Sequence, residues 1–279
     1  MSDKSISEQW NASAGGWAHW AAQAADYLVP ATETMLDVAA VGPGARVLDI
    51  GCGSGEQTVL AARRAGDAGH VLAIDIAAPM VAAAEKTVAA AGLRNVATRV
   101  CAAEALVGSA GPFDAAISRL VLMLIPDPVS AARSVHAVLR PGGRFVALVP
   151  GDQAKTGFNA IALDILARHG GKTNWEDKPG SIRSLVDPSR LAAVLRDAGF
   201  ADVTVMTVPT IQRMPSAGVM TQMIREAFAF YKSLIAALPA DRQEAAWVEV
   251  EQALRRFEGP DGFAGTSEMN IGVGQKPTG

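Results

Sequence analysis

Between residues 46 and 149, short apolar runs alternate with longer segments that carry helix-boundary signals. The apolar runs predict strands at 46–50, 70–75, 95–101, 113–118 and 144–149. Helices are predicted at 56–65, 79–91 and 129–139, because glycine or proline stands at their ends. Strands joined by single helices favour right-handed parallel crossovers, which build a doubly wound α/β sheet.

The regular alternation stops after residue 150. The later pattern predicts an insertion, a helix at 187–198, a strand at 201–208, two helical stretches within 216–258 and a last strand at 270–274. We therefore expect a single domain with a Rossmann-like, mostly parallel seven-stranded sheet and helical insertions after strands 5 and 6. Its parts would be an N-terminal helical cap (1–30), a cofactor-binding core (31–150), an insertion (151–186), further core (187–209), a helical lid (210–266) and a last strand with tail (267–279).

Composition narrows the class of protein. Apolar residues make up 49% of the 279 residues, which suffices for a sizeable core, and the formal net charge is −3 without a dense Lys/Arg run. Nucleic-acid binding is therefore not expected. The sequence shows no secretory signal, no run of about 18 apolar residues and no metal-ligand spacing, so we expect a cytoplasmic protein without a membrane span or metal.

A glycine-rich turn carries the candidate chemistry. Glycines at 51, 53 and 55 follow the first strand and precede a helix, where backbone N–H groups suit an anionic group. Asp75 ends the second strand, 20 residues after Gly55, where a carboxylate can accept both hydroxyls of a ribose. Asp49 could receive N–H bonds from a ligand's amino group or brace the loop itself.

Several kinds of nucleotide site use such a turn. Here the spacing is Gly-x-Gly-x-Gly, and Glu56 stands where the pyrophosphate of a dinucleotide would lie. The sequence therefore disfavours an NAD site, and an NAD-dependent oxidoreductase is the less favoured functional hypothesis.

The motifs resemble those of class I S-adenosylmethionine-dependent methyltransferases. Residues 47–55 resemble motif I, and 71–80 are similar to the second-strand motif. Residues 101–105 are similar to the adenine loop and 139–145 to the turn before strand five. Four motifs in this order indicate the ubiquinone/menaquinone-methyltransferase-like group of small-molecule enzymes.

The resemblance implies S-adenosyl-L-methionine as cofactor, S-adenosyl-L-homocysteine as product, and a role for ten residues. Gly51 and Gly53 would line the methionine part of the cofactor, with Asp49 on its amino side, and Ser118 with Arg119 would close this methionyl side. Asp75 would hold the ribose. Ile76 and Met80 would lie against the adenine, and Ala103 and Glu104 would border the edge of the adenine. Many relatives have Asp where this chain has Ala102, so a backbone group or Glu104 would bind the adenine amine here. Arg119 could instead pair with Asp114 or Asp127.

Acceptor residues are predicted in the cap, the core and the helical lid. His19 is the candidate general base, with aromatic packing as its alternative role. The predicted acceptor pocket consists of Trp17, Trp20, Tyr27, Met123 and Met223.

The predicted function is methyl transfer to a small hydrophobic or aromatic metabolite, with O- or C-methylation favoured. N-methylation is the nearest variant, and a second alternative is a methyltransferase-like fold that performs non-methyl chemistry such as cyclisation. The apolar 216–238 segment could also form a homodimer face.

Overall fold

The computed structural model describes residues 8, 10–11, 15–17, 19–106, 111–152, 157–171 and 180–279. Parts of the predicted cap (1–30) and of the predicted insertion (151–186) lie outside these residues. The described residues fall into two compact units. The sheet unit comprises Val29–Gly151, Asp177–Val208 and Met269–Gly279, and the helical unit comprises Met1–Leu28, Asp152–Glu176 and Pro209–Glu268. The predicted single-domain boundaries stay a prediction.

The predicted Rossmann-like sheet is confirmed. The strands are β1 (Arg46–Ile50), β2 (His70–Asp75), β3 (Val96–Val100), β4 (Phe113–Arg119), β5 (Leu139–Pro150), β6 (Ala201–Met214), β7 (Glu258–Gly259) and β8 (Gly262–Gln275). Their order is β3-β2-β1-β4-β5-β8-β6, with β7 paired to β8. The first five strands are parallel, and β8 runs antiparallel to β5. The sheet is thus mostly parallel, and the two-residue β7 adds to the seven strands that were predicted.

The central strands are buried on both faces, as helices on two sides of a parallel sheet require. Three strands are longer than predicted by several residues, and β4 is longer by one. β5 begins at Leu139, directly after the preceding helix, while β6 continues to Met214 and β8 begins at Gly262. The last two strands contribute residues to both units.

Five α-helices among the described residues belong wholly or partly to the sheet unit. They are α1 (Ala21–Val38, shared with the helical unit), α2 (Glu56–Ala65), α3 (Ala78–Ala90), α4 (Pro128–Val138) and α6 (Pro188–Asp197), the last numbered by chain order. Asp127 caps α4 by accepting from the Ser130 amide at 2.9 Å, and Asp187 caps α6 in the same way. α2 and α3 pack on β2 and on each other, whereas α4 packs on α6 and β5.

Four further α-helices of the described residues lie in the helical unit. These are α5 (Phe158–His169), α7 (Ala217–Ala227), α8 (Ala229–Ile235) and α9 (Ala240–Leu254). α5 packs against α8 and α9, and α7 packs against the same two helices. The interior is aromatic: the Phe158 and Phe263 rings meet edge-on at 5.9 Å, and Tyr231 is buried beside Phe228. No helix in the described ranges is both long enough and apolar enough to cross a bilayer.

Candidate functional site

The glycine turn lies at the carboxyl end of β1, the edge at which open α/β sheets bind ligands. Gly51 has a φ of 67°, and a Cβ built on it would come within 2.2 Å of a methyl carbon of Val121. Gly55 has a φ of 94° and would place a Cβ 2.9 Å from the Cα of Ala84. Only glycine satisfies both conditions at these positions. The turn therefore packs tightly against the loop after β4 and against α3.

Asp75 lies at the end of β2, the strand next to β1, and its carboxylate holds the glycine turn in place. One carboxylate oxygen accepts from the Gly53 amide at 3.0 Å, and the other accepts from the Ala77 amide at 2.9 Å. Burial raises the pKa of Asp75, although these amide hydrogen bonds oppose the shift. The structure thus brings the predicted ribose ligand and the predicted glycine loop together.

Asp49 is buried completely and is held by side chains of the first turn of α2. Thr58 donates to one of its oxygens at 2.5 Å, and the Gln57 amide donates to the other. Burial raises the pKa of Asp49 to about 6, against the effect of these bonds and of the nearby Arg119 charge. Both bonds hold the first turn of α2 beneath the glycine turn, and the alternative role predicted for Asp49, bracing of the glycine loop itself, stays a prediction. Its contact with a cofactor amino group stays a prediction.

Ser118 and Arg119 end β4 next to the glycine turn, because Ile50 of β1 lies opposite Ser118. The Arg119 guanidinium is buried and donates to the Thr32 hydroxyl at 3.0 Å. Burial lowers the pKa of Arg119, while the charges of Glu56 and Asp49 act in the other direction.

The predicted alternative partners of Arg119 are engaged elsewhere. Asp114 pairs with Arg140 at 2.5 Å, and Asp127 caps α4. The Ser118 hydroxyl is fully buried and makes no hydrogen bond within the described ranges.

The predicted adenine side lies along the ends of β2 and β3. Ile76 is half-buried directly after Asp75, and Met80 is buried in the first turn of α3. The Cys101 amide donates to the Asp75 carbonyl at 2.9 Å, which fixes the segment that leads to Ala103 and Glu104. Ala103–Ala105 form one 3₁₀ turn, and the Ser134 hydroxyl donates to the Glu104 carbonyl at 3.1 Å. These residues share one edge of the sheet with the glycine turn.

The charges at this edge of the sheet favour some nucleotide ligands over others. Asp49, Asp75 and Glu56 bring three carboxylates, and Arg119 brings one guanidinium. The Glu56 carboxylate accepts from the Ser54 hydroxyl at 3.0 Å, in the first turn of α2. A net negative edge opposes a pyrophosphate, whereas it favours a ligand that carries a sulfonium and an ammonium group. The buried unpaired Ser118 hydroxyl and the buried Arg119 also suit the polar methionyl end of such a ligand.

The predicted acceptor residues are divided between the two units. Met123 is buried in the hydrophobic core of the sheet unit, where its carbonyl accepts from Ser184. The helical unit contains the others: Trp17 is half-buried, Trp20, Tyr27 and Met223 are buried, and His19 is exposed.

His19 stacks edge-on against Trp20 with their centroids 5.0 Å apart. This contact is the aromatic packing that was its predicted alternative role. Catalysis by His19 stays a prediction.

Sequence reasoning missed the residues that support the site. Gln57 and Thr58 are almost completely buried polar side chains in the first turn of α2, and their partner is Asp49. Two polar residues side by side in an otherwise apolar helix face are a signal that the sequence offers. Thr32 and Val121 give no such signal, because their contacts depend on how distant segments pack.

Comparison with known proteins agrees with this geometry. Residues 42–179, about half of the chain, match the family described as methyltransferase domain. A nocamycin O-methyltransferase of Saccharothrix syringae is 36% identical over 43% of this chain and 42% of its own length. The aklanonic acid methyltransferase DauC of Streptomyces is 34% identical over 47% of this chain and 60% of its own length.

A third relative belongs to the group indicated by the motifs. A ubiquinone biosynthesis O-methyltransferase of Xanthomonas axonopodis is 33% identical over 56% of this chain and 62% of its own length. The chain thus spans about half of the length of these curated relatives. Among solved structures, the [4+2]-cyclase SpnF covers 100% of this chain and 98% of its own at a TM-score of 0.60 and 19% identity. That likeness concerns the fold alone.

Proposed function

We propose that the chain is a class I S-adenosylmethionine-dependent methyltransferase and that it methylates a small hydrophobic or aromatic metabolite. The observation that carries the proposal is the half-buried Asp75 carboxylate, which accepts from the Gly53 amide within the region that matches the family. This contact joins the two motifs from which a nucleoside site is built.

The cofactor would lie along the carboxyl ends of β1, β2 and β4. Asp75 would accept from the ribose, while Ile76 and Met80 would face the adenine. Ser118 and Arg119 would bind the methionyl end, and Asp49 would hold α2 in position beneath it. When bound, S-adenosyl-L-methionine supplies a methyl group that its sulfonium has already activated, so the protein has mainly to bind and orient the two reactants.

O-methylation is the favoured reaction. Two of the three relatives are named as O-methyltransferases, one for nocamycin and one in ubiquinone biosynthesis. The aromatic interior of the helical unit, with Phe158, Tyr231 and Phe263, suits an apolar or aromatic acceptor. A phenol or an enol ionises readily, so such an acceptor makes little demand on a general base.

The direct test follows the methyl group. The protein is incubated with S-adenosyl-L-methionine carrying a ¹³C-methyl group and a pool of phenolic and enolic acceptors, and products are read by mass spectrometry. We expect one labelled methyl on an acceptor for each S-adenosyl-L-homocysteine formed. Asp75→Ala should lose this activity, whereas Asp67→Ala, which changes an exposed carboxylate, should keep it.

The alternatives give different products. Cyclisation would change an acceptor at constant mass and leave the sulfonium intact. A labelled amine would indicate N-methylation. Protein that binds the cofactor but methylates nothing in the pool contradicts the proposed acceptor class. A cytoplasmic location and a homodimer stay predictions; the apolar side chains Met220, Met223 and Ile224 of the expected dimer face are buried within the chain.

A further inference from the structure

Arg119 is a buried cation whose charge no carboxylate of the described chain neutralises by direct contact. Only 9% of the residue is exposed, and its guanidinium donates from Nη1 to the Thr32 hydroxyl at 3.0 Å. Asp49 and Glu56 act on it through their charges, but within the described residues neither forms a hydrogen bond or an ion pair with it. Buried charges are normally paired, because an unpaired one is costly. We therefore expect an anionic group of a ligand to complete this site.

The two carboxylates near Arg119 make their hydrogen bonds elsewhere. Asp49 accepts from two side chains in the first turn of α2, and Glu56 accepts from the Ser54 hydroxyl at 3.0 Å. These bonds are made within α2 and the glycine turn. The guanidinium is thus left to a partner that the described chain does not supply.

Thr32 restricts the orientation of the guanidinium without cancelling its charge. The residue lies in α1, is fully buried, and accepts from Arg119 through a neutral hydroxyl. A carboxylate in the same place would hold the planar group equally well but would also neutralise it. A guanidinium has five N–H groups, and a pair of them matches the two oxygens of a carboxylate. Thr32 therefore keeps Arg119 both oriented and cationic.

The position of Arg119 indicates which carboxylate this would be. Arg119 is the last residue of β4, and its neighbour Ser118 lies opposite Ile50, the last residue of β1 before the glycine turn. The methionyl part of S-adenosyl-L-methionine is expected at this edge of the sheet. The anionic group of that part is the carboxylate of its amino acid.

We propose that Thr32 is a positioning residue for the cofactor, whose hydroxyl holds the Arg119 guanidinium in place for the methionyl carboxylate. Thr32 acts through Arg119, so its contribution depends on both the guanidinium and the carboxylate being present. This inference rests on the proposed function, because the ligand is taken to be S-adenosyl-L-methionine. Cofactor binding and methyl transfer do not require it, so the two proposals can fail separately.

Two ligands isolate the carboxylate: S-adenosyl-L-homocysteine and its decarboxylated analogue, which keeps the adenosine and the ammonium group. Their dissociation constants are measured by calorimetry for the full chain and for Thr32→Val, which replaces the hydroxyl by a methyl group of similar size. We expect the preference for the carboxylated ligand, taken as the ratio of the two constants, to fall by about 3- to 10-fold in Thr32→Val. Thr32→Ser, which keeps a hydroxyl, should retain most of this preference.

Two further variants separate positioning from a general effect on the fold. Thr34→Val removes a hydroxyl of the same helix that donates to the Pro30 carbonyl at 3.0 Å, and its ratio should equal that of the unchanged protein. Arg119→Met removes the guanidinium itself. In the Arg119→Met background, Thr32→Val should lower the ratio no further, because Thr32 acts through Arg119.

An unchanged ratio in Thr32→Val would overturn the inference. An equal loss of affinity for both ligands would also overturn it, because that result indicates a structural role alone. If the unchanged protein binds both ligands equally well, the carboxylate subsite is contradicted while cofactor binding stands. If it binds neither ligand, the proposed function fails together with the inference.

Discussion

Asp49 is expected to make the apo protein less stable at neutral pH than it would be with a neutral side chain. The carboxylate is completely buried, and its partners Gln57 and Thr58 are neutral. Burial raises its pKa from 3.8 to about 6, so keeping it ionised in the folded state costs free energy. Asp49→Asn retains the shape and one acceptor oxygen while it removes the charge.

The size of the expected change in stability with pH follows from the linkage between proton binding and folding. Because the folded pKa lies above the unfolded one, the folded state binds more protons between these values, and stability falls as pH rises through this range. A shift of about two units corresponds to about 3 kcal/mol in full. Roughly half of this should appear between pH 5 and pH 7.5. Loss of a charge-assisted hydrogen bond in the variant offsets about 1–2 kcal/mol of the gain at neutral pH.

The assay is urea unfolding followed by the fluorescence of the five tryptophans, at several pH values from 5 to 7.5. We expect the stability of Asp49→Asn relative to the unchanged protein to increase by roughly 1–1.5 kcal/mol over this range. Asp114→Asn is the control: it should destabilise the protein, and the difference should stay constant over this range because Asp114 remains ionised in both states. Its desolvation is outweighed by the Arg46 amide and by Arg140, which lower the pKa of Asp114. A pH-independent difference for Asp49→Asn would refute the reasoning.

Three further substitutions test other parts of the structure. Gly51→Ala should abolish binding of S-adenosyl-L-homocysteine in calorimetry and destabilise the protein by about 1–3 kcal/mol, because it combines a positive φ with a clash against Val121. Adding Val121→Ala removes the two methyl carbons of Val121 but leaves its Cβ 2.9 Å from the new side chain, so it should relieve only part of the loss, and a full rescue would contradict the role of φ. Asp127→Ala should cost about 1 kcal/mol in urea unfolding through loss of the α4 cap and leave cofactor affinity unchanged. Trp20→Phe removes the 2.8 Å hydrogen bond to Glu226 and should cost about 0.5–1.5 kcal/mol, whereas an unchanged thermal midpoint would show that this bond contributes nothing.

The sheet could be predicted because its strands are buried on both faces and are separated by capped helices. β1 and β2 have the predicted bounds, and Asp75 lies beside the glycine turn as the motif spacing implied. Strand ends were harder to predict. β6 is partly exposed along its length and continues through Pro209, so its alternation alone does not show where pairing stops.

Side-chain partnerships could not be predicted in the same way. The partners of Asp49 come from the first turn of α2, and the partner of Arg119 comes from α1, so both depend on how helices pack on the sheet. The apolar 216–238 segment was predicted as one stretch, but it divides at Phe228, whose ψ of 91° is not helical. Its residues Met220, Met223 and Tyr231 are buried within the chain because tertiary packing, which local sequence does not encode, covers them.

The central claim is that the glycine turn and Asp75 bind S-adenosyl-L-methionine. Calorimetric titration of the full chain with S-adenosyl-L-homocysteine and, separately, with NAD tests it most directly, with Asp75→Ala and Asp67→Ala beside it. The account predicts that the chain binds S-adenosyl-L-homocysteine but not NAD. The binding of S-adenosyl-L-homocysteine should be weaker by about 1–3 kcal/mol in Asp75→Ala and unchanged in Asp67→Ala. Binding of NAD instead, or an affinity that Asp75→Ala leaves unaltered, would contradict it.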